Sequence, residues 1–165
     1  RERRVEKVYW AVVHGAHAAA VGTLEHWLVH ESHHARVVPA GTPGAKPARM
    51  TCRLQSVRDD LAWLEIDLET GRYHQIRAQL AAVGCVIVGD RRYGAAEGLP
   101  QQAIALHHCR LTVPHPVGGN AIRIAALPPE CEPWTRFPVS LEPRACPSFG
   151  TRGQAGGASG APTAP

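Results

Sequence analysis

The chain has 165 residues, with 18 Lys and Arg against 14 Asp and Glu and a formal net charge of +4. That length suits one domain with a real core, since a chain near this size hides roughly two-thirds of its unfolded surface on folding. Five cysteines (Cys52, Cys85, Cys109, Cys131 and Cys146) form an odd set with no C-x-x-C pair, so neither a disulfide framework nor a zinc knuckle is indicated, and they read as reduced thiols.

No apolar run approaches the roughly 18 residues of a membrane span, and the arginine-rich start has no apolar stretch behind it to make a signal peptide. A cytoplasmic, monomeric protein without a membrane partner is expected. The basic balance attracts polyanions, and most of the basic residues are arginine, whose planar fork of donors suits phosphates and bases. Residue 1 is Arg and strand-like sequence begins by Val5, so the chain reads as a piece of a longer one.

Val5 to Val13 is rich in β-branched and aromatic residues, with Val8, Trp10 and Val12 on one face and Tyr9, Ala11 and Val13 on the other. It reads as a strand buried on both sides. Gly22 to Val38 has a period too mixed to assign. Pro39 to Pro47 carries two glycines and three prolines and reads as a loop.

A hairpin follows, Ala48 to Val57 and Leu61 to Leu68, turning at Asp59 and Asp60, with Leu64, Ile66 and Leu68 as a buried row. Ile76, Leu80 and Val83 recur at helical spacing from about Tyr73, and Gly84 stands where a helix commonly stops. The spacing predicts a helix of about three turns. Cys85 to Val88 is a short apolar run before a Gly89-Asp90 turn, and strands are expected at Ala103 to Val113 and Ala121 to Leu127. From Pro147 the chain is almost entirely Gly, Ala, Ser, Thr and Pro, too poor in large apolar groups to offset the entropy of ordering, so residues 147–165 are expected to be a disordered tail.

Chemistry concentrates in Leu68-Glu69-Thr70-Gly71-Arg72-Tyr73-His74-Gln75-Ile76-Arg77, where a strand turns at a glycine and enters a helix. Tyr73 and Arg77 are four apart and share a helical face, beside the apolar face of Ile76 and Leu80. Arg77 therefore sits at the edge of the core with no evident local partner, and a guanidinium losing water there needs a carboxylate or phosphate. The partner is either an acid of this domain or the substrate.

The stretch TGRYHQIRAQLAAVGCVIVGDRRYG resembles the signature of RluA-type RNA pseudouridine synthases, with its TGR-x-HQ-[IL]-R element, short helix, G-x-x-I-x-GD turn and tyrosine-glycine pair. Lys7 to Ala11 resembles that family's K-x-Y-x-A strand, Pro47-Ala48 the point where its sheet resumes, and LHHCRLTVPHPVGG its LHA-x-x-L…HP element. The likeness runs from about Val5 to Phe137 in family order. It implies an α+β fold: a mixed, mostly antiparallel sheet with a few short helices, residues 1–146 being the C-terminal part of the catalytic domain.

The resemblance further implies a cofactor-free, metal-free isomerisation of a uridine in RNA. An aspartate acts as nucleophile, the glycosidic bond breaks, and the base is reattached through C5. Large-subunit ribosomal RNA is the favoured substrate, transfer RNA the other. By resemblance Tyr9 packs on the target uracil and assists proton removal, and Arg77 pairs with the catalytic aspartate. Arg72, Tyr73, His74 and Gln75 are substrate-binding candidates, His74 and Gln75 chiefly through shaping the turn.

Three departures stand out. The family's nucleophile lies in an H-R-L-D-x-x-T-S-G motif ahead of the K-x-Y strand, and nothing in this chain resembles it. The segment alone is expected to be inactive and the aspartate to lie upstream, with Asp90 structural. Cys85 stands where the family has histidine, and His108 where it has alanine.

Plainer readings compete at each position. Tyr9 alone reads as a core aromatic, Arg77 as a surface ion pair, and Arg72 as a solvated side chain. The ten histidines suggest metal at His26, His30, His33 and His34, or at His107, His108 and Cys109, but no acidic or cysteine companion stands at ligand spacing for the first group. Rival functions are a non-catalytic RNA-binding remnant and a histidine-based metalloenzyme.

Overall fold

Strand β1 (Glu6–Gly15) is the axis of the molecule, because a run of Val, Tyr and Trp can be covered on both faces and paired on both edges. The computed structural model describes residues 5–15, 17–117 and 120–141. The expected tail lies outside them. Along its length β1 pairs with β5 (Leu61–Leu68) on one edge; on the other it pairs first with β7 (Leu106–Pro114) and then with β6 (Cys85–Ile87).

The sheet is completed by β2 (Gly22–Glu31), β3 (His34–Val38), β4 (Lys46–Arg58) and β8 (Ala121–Ala125), in the order β3-β2-β4-β5-β1-β7-β8. Every pairing between the described strands is antiparallel. Among the described residues one α-helix, α1 (Gln75–Ala82), packs on one face, and the architecture is the expected α+β one with a mostly antiparallel sheet and a few short helices.

The core is richest where β1 meets β5. Trp10, Ala11, Val12 and Val13 are buried, as are Leu61, Ala62, Trp63, Leu64 and Ile66. Trp10 and Trp63 meet edge-on with centroids 5.2 Å apart, and each buried side chain of this size contributes roughly 1.5–3 kcal/mol by leaving water. Phe137, in the segment after β8, tilts against Trp63 from 6.4 Å. It covers the face opposite α1.

Several expected elements differ in extent. The unassigned stretch is the hairpin β2-β3, turning at Ser32 with φ 49°. β4 begins at Lys46, so Pro47 belongs to a strand opposite Trp27 rather than to the loop. Proline is tolerated near a strand's start. The helix runs eight residues, not three turns. His74 adopts φ 48° and ψ 27°, a left-handed conformation that cannot be a helical turn, so α1 starts only at Gln75. Its end is as expected, at Gly84 with φ 77°.

Register fixes which side chains share the α1 face. Gln79 on α1 has its amide nitrogen 3.0 Å from His26 Nδ1, so His26 faces the helix. His26 lies opposite Ala48, Cys52 opposite Ile66, and Ile66 opposite Tyr9. Side chains alternate along each strand while paired residues point the same way, so Tyr9 shares the face on which α1 lies.

Candidate active site

The loop entering α1 is shaped from inside by Gln75, whose side chain is buried. Its Oε1 accepts from Thr70 Oγ1 (2.8 Å) and from the Arg72 amide (3.1 Å), while Nε2 donates to the Arg49 carbonyl (3.1 Å). Those bonds tie the loop to β4 and account for its polar density. Arg72 Nε donates to the Pro47 carbonyl at 3.0 Å, leaving its terminal nitrogens outward on an exposed residue. Tyr73 is 43 % exposed and stacks on His74 at 3.9 Å.

Arg77 has its partner within this domain, the first of the two alternatives that the sequence left open. Its Nε and Nη2 donate to the two carboxylate oxygens of Asp90 at 2.6 and 2.7 Å. Side-chain exposure is 16 % for Arg77 and 1 % for Asp90. Burial would lower the guanidinium's pKa, but the hydrogen bonds and charge of Asp90 outweigh it and hold the pKa above its ordinary value. Asp90 is delivered by Gly89 at φ +84°, where a Cβ would lie 2.7 Å from the Ala103 carbonyl oxygen. Only glycine fits there.

Around the ion pair stand His74 and Tyr93. Arg77 Nη1 is 3.0 Å from His74 Nε2, and its guanidinium carbon is 4.7 Å from the Tyr93 ring centre. Burial and the charges of Arg77 and Arg92 pull the His74 imidazole below its usual pKa, so it is neutral at pH 7. Tyr93 accepts from the Ala35 amide at 2.8 Å and lies 3.1 Å from His74 Nδ1, joining this cluster to β3. The cluster opens on a cavity of about 800 Å³ lined by Arg77, Asp90, Arg91, Arg92 and His74 among others.

Tyr9 does not line that cavity. It lies on the same sheet face farther along, its ring stacked on His108 with centroids 4.4 Å apart and planes 9° apart. A bulge in the β1-β7 ladder, between Val8 and Tyr9, carries Cys109 as the extra residue and sets this contact. Burial pushes the Tyr9 phenol up and pulls the His108 imidazole down. Both rings are uncharged at pH 7.

The structure therefore brings Arg77, His74 and Tyr73 together, uses Gln75 to brace them, and leaves Tyr9 at a distance on the shared face. Tyr93 stands in the sequence reading only as half of the tyrosine-glycine pair and not as a site residue, because it follows the glycine turn and only the β6 return brings it to α1. Among the described residues no group of three His, Cys, Asp or Glu is placed to hold a metal ion. His26 is held by Gln79, His34 stacks on Tyr93, and His107 Nε2 is 2.9 Å from the Ala126 carbonyl oxygen. No helix of the described residues is long and apolar enough to cross a membrane.

Comparison with known proteins gives this geometry its setting. A family described as RNA pseudouridylate synthase matches residues 1–82. An uncharacterized RNA pseudouridine synthase of Chloroflexus aurantiacus is 37% identical over 119 residues, covering 72% of this chain and 37% of that protein. The ribosomal large subunit pseudouridine synthase D of Xanthomonas campestris is 44% identical over 80 residues, 41% of this chain and 24% of its own length.

Human RNA pseudouridylate synthase domain containing 1 superposes with a TM-score of 0.63 at 25% identity, over 79% of this chain and 57% of that one. The chain thus spans well under half of the curated relatives it matches. With sequence and overall fold in agreement, the chain belongs to the RNA pseudouridine synthase family.

Proposed function

We propose that this chain is the C-terminal part of the catalytic domain of an RluA-type RNA pseudouridine synthase whose nucleophilic aspartate comes from outside these residues. One observation carries the reading: the Arg77 cavity gathers three arginines against one aspartate, on the sheet face that also carries Tyr9. Asp90 occupies the Nε–Nη2 edge of Arg77 and leaves Nη1 against a neutral imidazole, not an acid. A second carboxylate approaching there meets a positive surplus from Arg77, Arg91 and Arg92.

In the reaction the N1–C1′ bond of the uridine breaks and a C5–C1′ bond forms; the proton leaving C5 is balanced by the one N1 gains. The target base is first taken out of its stack. Tyr9 serves as an uncharged stacking surface with a hydroxyl, since its raised pKa disfavours the phenolate. Large-subunit ribosomal RNA is the favoured substrate, supported by the name of the Xanthomonas relative, with transfer RNA second. No cofactor or metal enters the scheme.

The test is pseudouridine mapping on ribosomal and transfer RNA from a deletion strain complemented with the complete gene. Rescue by the wild type, with a loss of about two to three orders of magnitude in Arg77→Ala, is expected. No rescue by the wild type on any RNA sinks the reading. The bidentate Asp90 contact favours a second one, a non-catalytic RNA-binding protein in which Arg77 is already satisfied. That protein binds RNA and leaves the mapped uridines unchanged.

A further inference from the structure

A second cavity, of about 380 Å³, lies behind the Tyr73 ring, between the β2-β3 hairpin and the loop entering α1. Its floor is apolar: Leu28 is 4% exposed and Ala35 2%. Its wall is aromatic, with His30 and Tyr73 centroids 4.2 Å apart. Lys46 and Arg72 complete the lining. An exposed Tyr73 held between two imidazoles is a poor way to fill a core, because 43 % of it remains in water. It leaves the side of an aromatic stack open to the cavity.

The charges point the same way. Arg36, Arg49, Arg53, Arg110 and Arg136 are each paired with carboxylates. Lys46 and Arg72 have no carboxylate partner among the described residues, and the Arg72 bond to the Pro47 carbonyl holds its side chain in place without neutralising it. An apolar floor, an aromatic wall of His30 and Tyr73 and two unneutralised cations fit a nucleotide: the base on the floor and against the open side of that wall, the phosphate on the cations. His30 is fixed by a 2.8 Å contact from Nε2 to the Ser32 carbonyl oxygen, which pre-orders that wall.

We infer that this cavity is a subsite for one unpaired nucleotide of the RNA other than the target uridine. The inference rests on the reading of the chain as part of an RNA-modifying enzyme. The Tyr73-His74 stack at 3.9 Å is the partition between the two cavities, and His74 in turn touches Arg77. A nucleotide seated against Tyr73 is therefore coupled to the Arg77 site through two rings. No side-chain amide or carboxylate lines the cavity to read a base edge, so the subsite is tolerant of sequence and selects for a single strand.

The test uses the complete gene product and a fluorescein-labelled single-stranded decauridylate, with a duplex of the same length as competitor. His30→Ala and Tyr73→Ala each weaken single-strand binding by about 5- to 100-fold, while His30→Phe keeps it near wild type. Lys46→Gln lowers the slope of log affinity against log salt by about 0.7. A decauridylate containing 4-thiouridine crosslinks to the peptide holding Tyr73 in the unaltered protein, which guards against variants that fail to fold. Unchanged affinity in both alanine variants, or no crosslink to that peptide, overturns the subsite. Such a result leaves the synthase reading standing wherever the wild type restores pseudouridine, and absence of that restoration with the crosslink intact overturns the synthase reading alone.

Discussion

Arg77 and Asp90 form a two-point ion pair, at 2.6 and 2.7 Å, between the first turn of α1 and the turn after β6. With Asp90 only 1 % exposed, neither charge tolerates the loss of the other. Removing one partner of such a pair typically costs about 3–5 kcal/mol, whereas replacing both by apolar groups of similar volume is often neutral. Asp90→Asn is therefore expected to lower the urea midpoint sharply, and Arg77→Met with Asp90→Leu to recover most of the loss. Equal losses in the single and double variants would contradict the account.

Gly89 is the pivot that aims Asp90. Its φ of +84° is unfavourable for any side chain, and a Cβ would meet the Ala103 carbonyl oxygen at 2.7 Å and Leu99 Cγ at 2.8 Å. Gly89→Ala is expected to destabilise the fold by about 1–3 kcal/mol, seen as a lower thermal midpoint. The same substitution at Gly22, also at positive φ but with nothing within 4 Å, is the control. It isolates backbone strain from collision.

How much of this was legible in the sequence depends on whether the cause was local. β1, the β4-β5 turn and the stop at Gly84 follow from neighbouring residues, and they stand where composition and spacing put them. The β2-β3 hairpin stayed hidden because its inward row, Leu24, His26 and Leu28, contains a histidine satisfied by Gln79 from another element. The start of α1 was misjudged by two residues because the left-handed His74 is set by contacts with Tyr93 and Arg77, none of them readable from spacing. Arg77 seemed unpartnered for the same reason: Asp90 reaches it only after the chain has returned along β6.

Three imidazoles make stability depend on pH in a defined window. His26, His74 and His108 are all pulled below the ordinary value, burial being the first cause in each. Between those folded values and about 6.5, the unfolded chain binds more protons, so stability is full above about pH 6.5 and falls as pH drops through the folded values. The exposed carboxylates with lowered pKa, Glu31 and Glu132, act only below about pH 4.5. A urea midpoint that declines from pH 7 to pH 5, with a smaller decline in His74→Gln, is expected. A flat profile over that range would count against neutral, partly desolvated imidazoles.

The loop before α1 depends on one side chain more than on any other. Gln75 accepts from Thr70 and the Arg72 amide and donates to Arg49, all from a buried position. Gln75→Leu fills the same volume but strands three polar partners, at roughly 1–3 kcal/mol for each that water cannot reach. Tyr73 and His74 would lose their fixed orientation, so RNA binding should weaken along with the thermal midpoint. Gln75→Glu keeps the acceptor and removes the donor to Arg49, and an intermediate loss is expected.

His108 offers the last test, because it stacks squarely on the ring to which base stacking is assigned. A parallel pair of this kind contributes about 0.5–1.5 kcal/mol beyond its buried area, enough to hold the Tyr9 ring in one orientation. With one face of Tyr9 taken by His108, the uracil of the proposed reaction would use the other, with the imidazole as a backing plate. His108→Ala frees the ring, and the complete enzyme should lose about 2- to 10-fold in kcat/KM, chiefly through KM. His108→Phe restores the flat support without a titratable group and should recover wild-type values. Higher activity in His108→Ala would mean that the imidazole occupies the base's own place, and the backing role would be wrong.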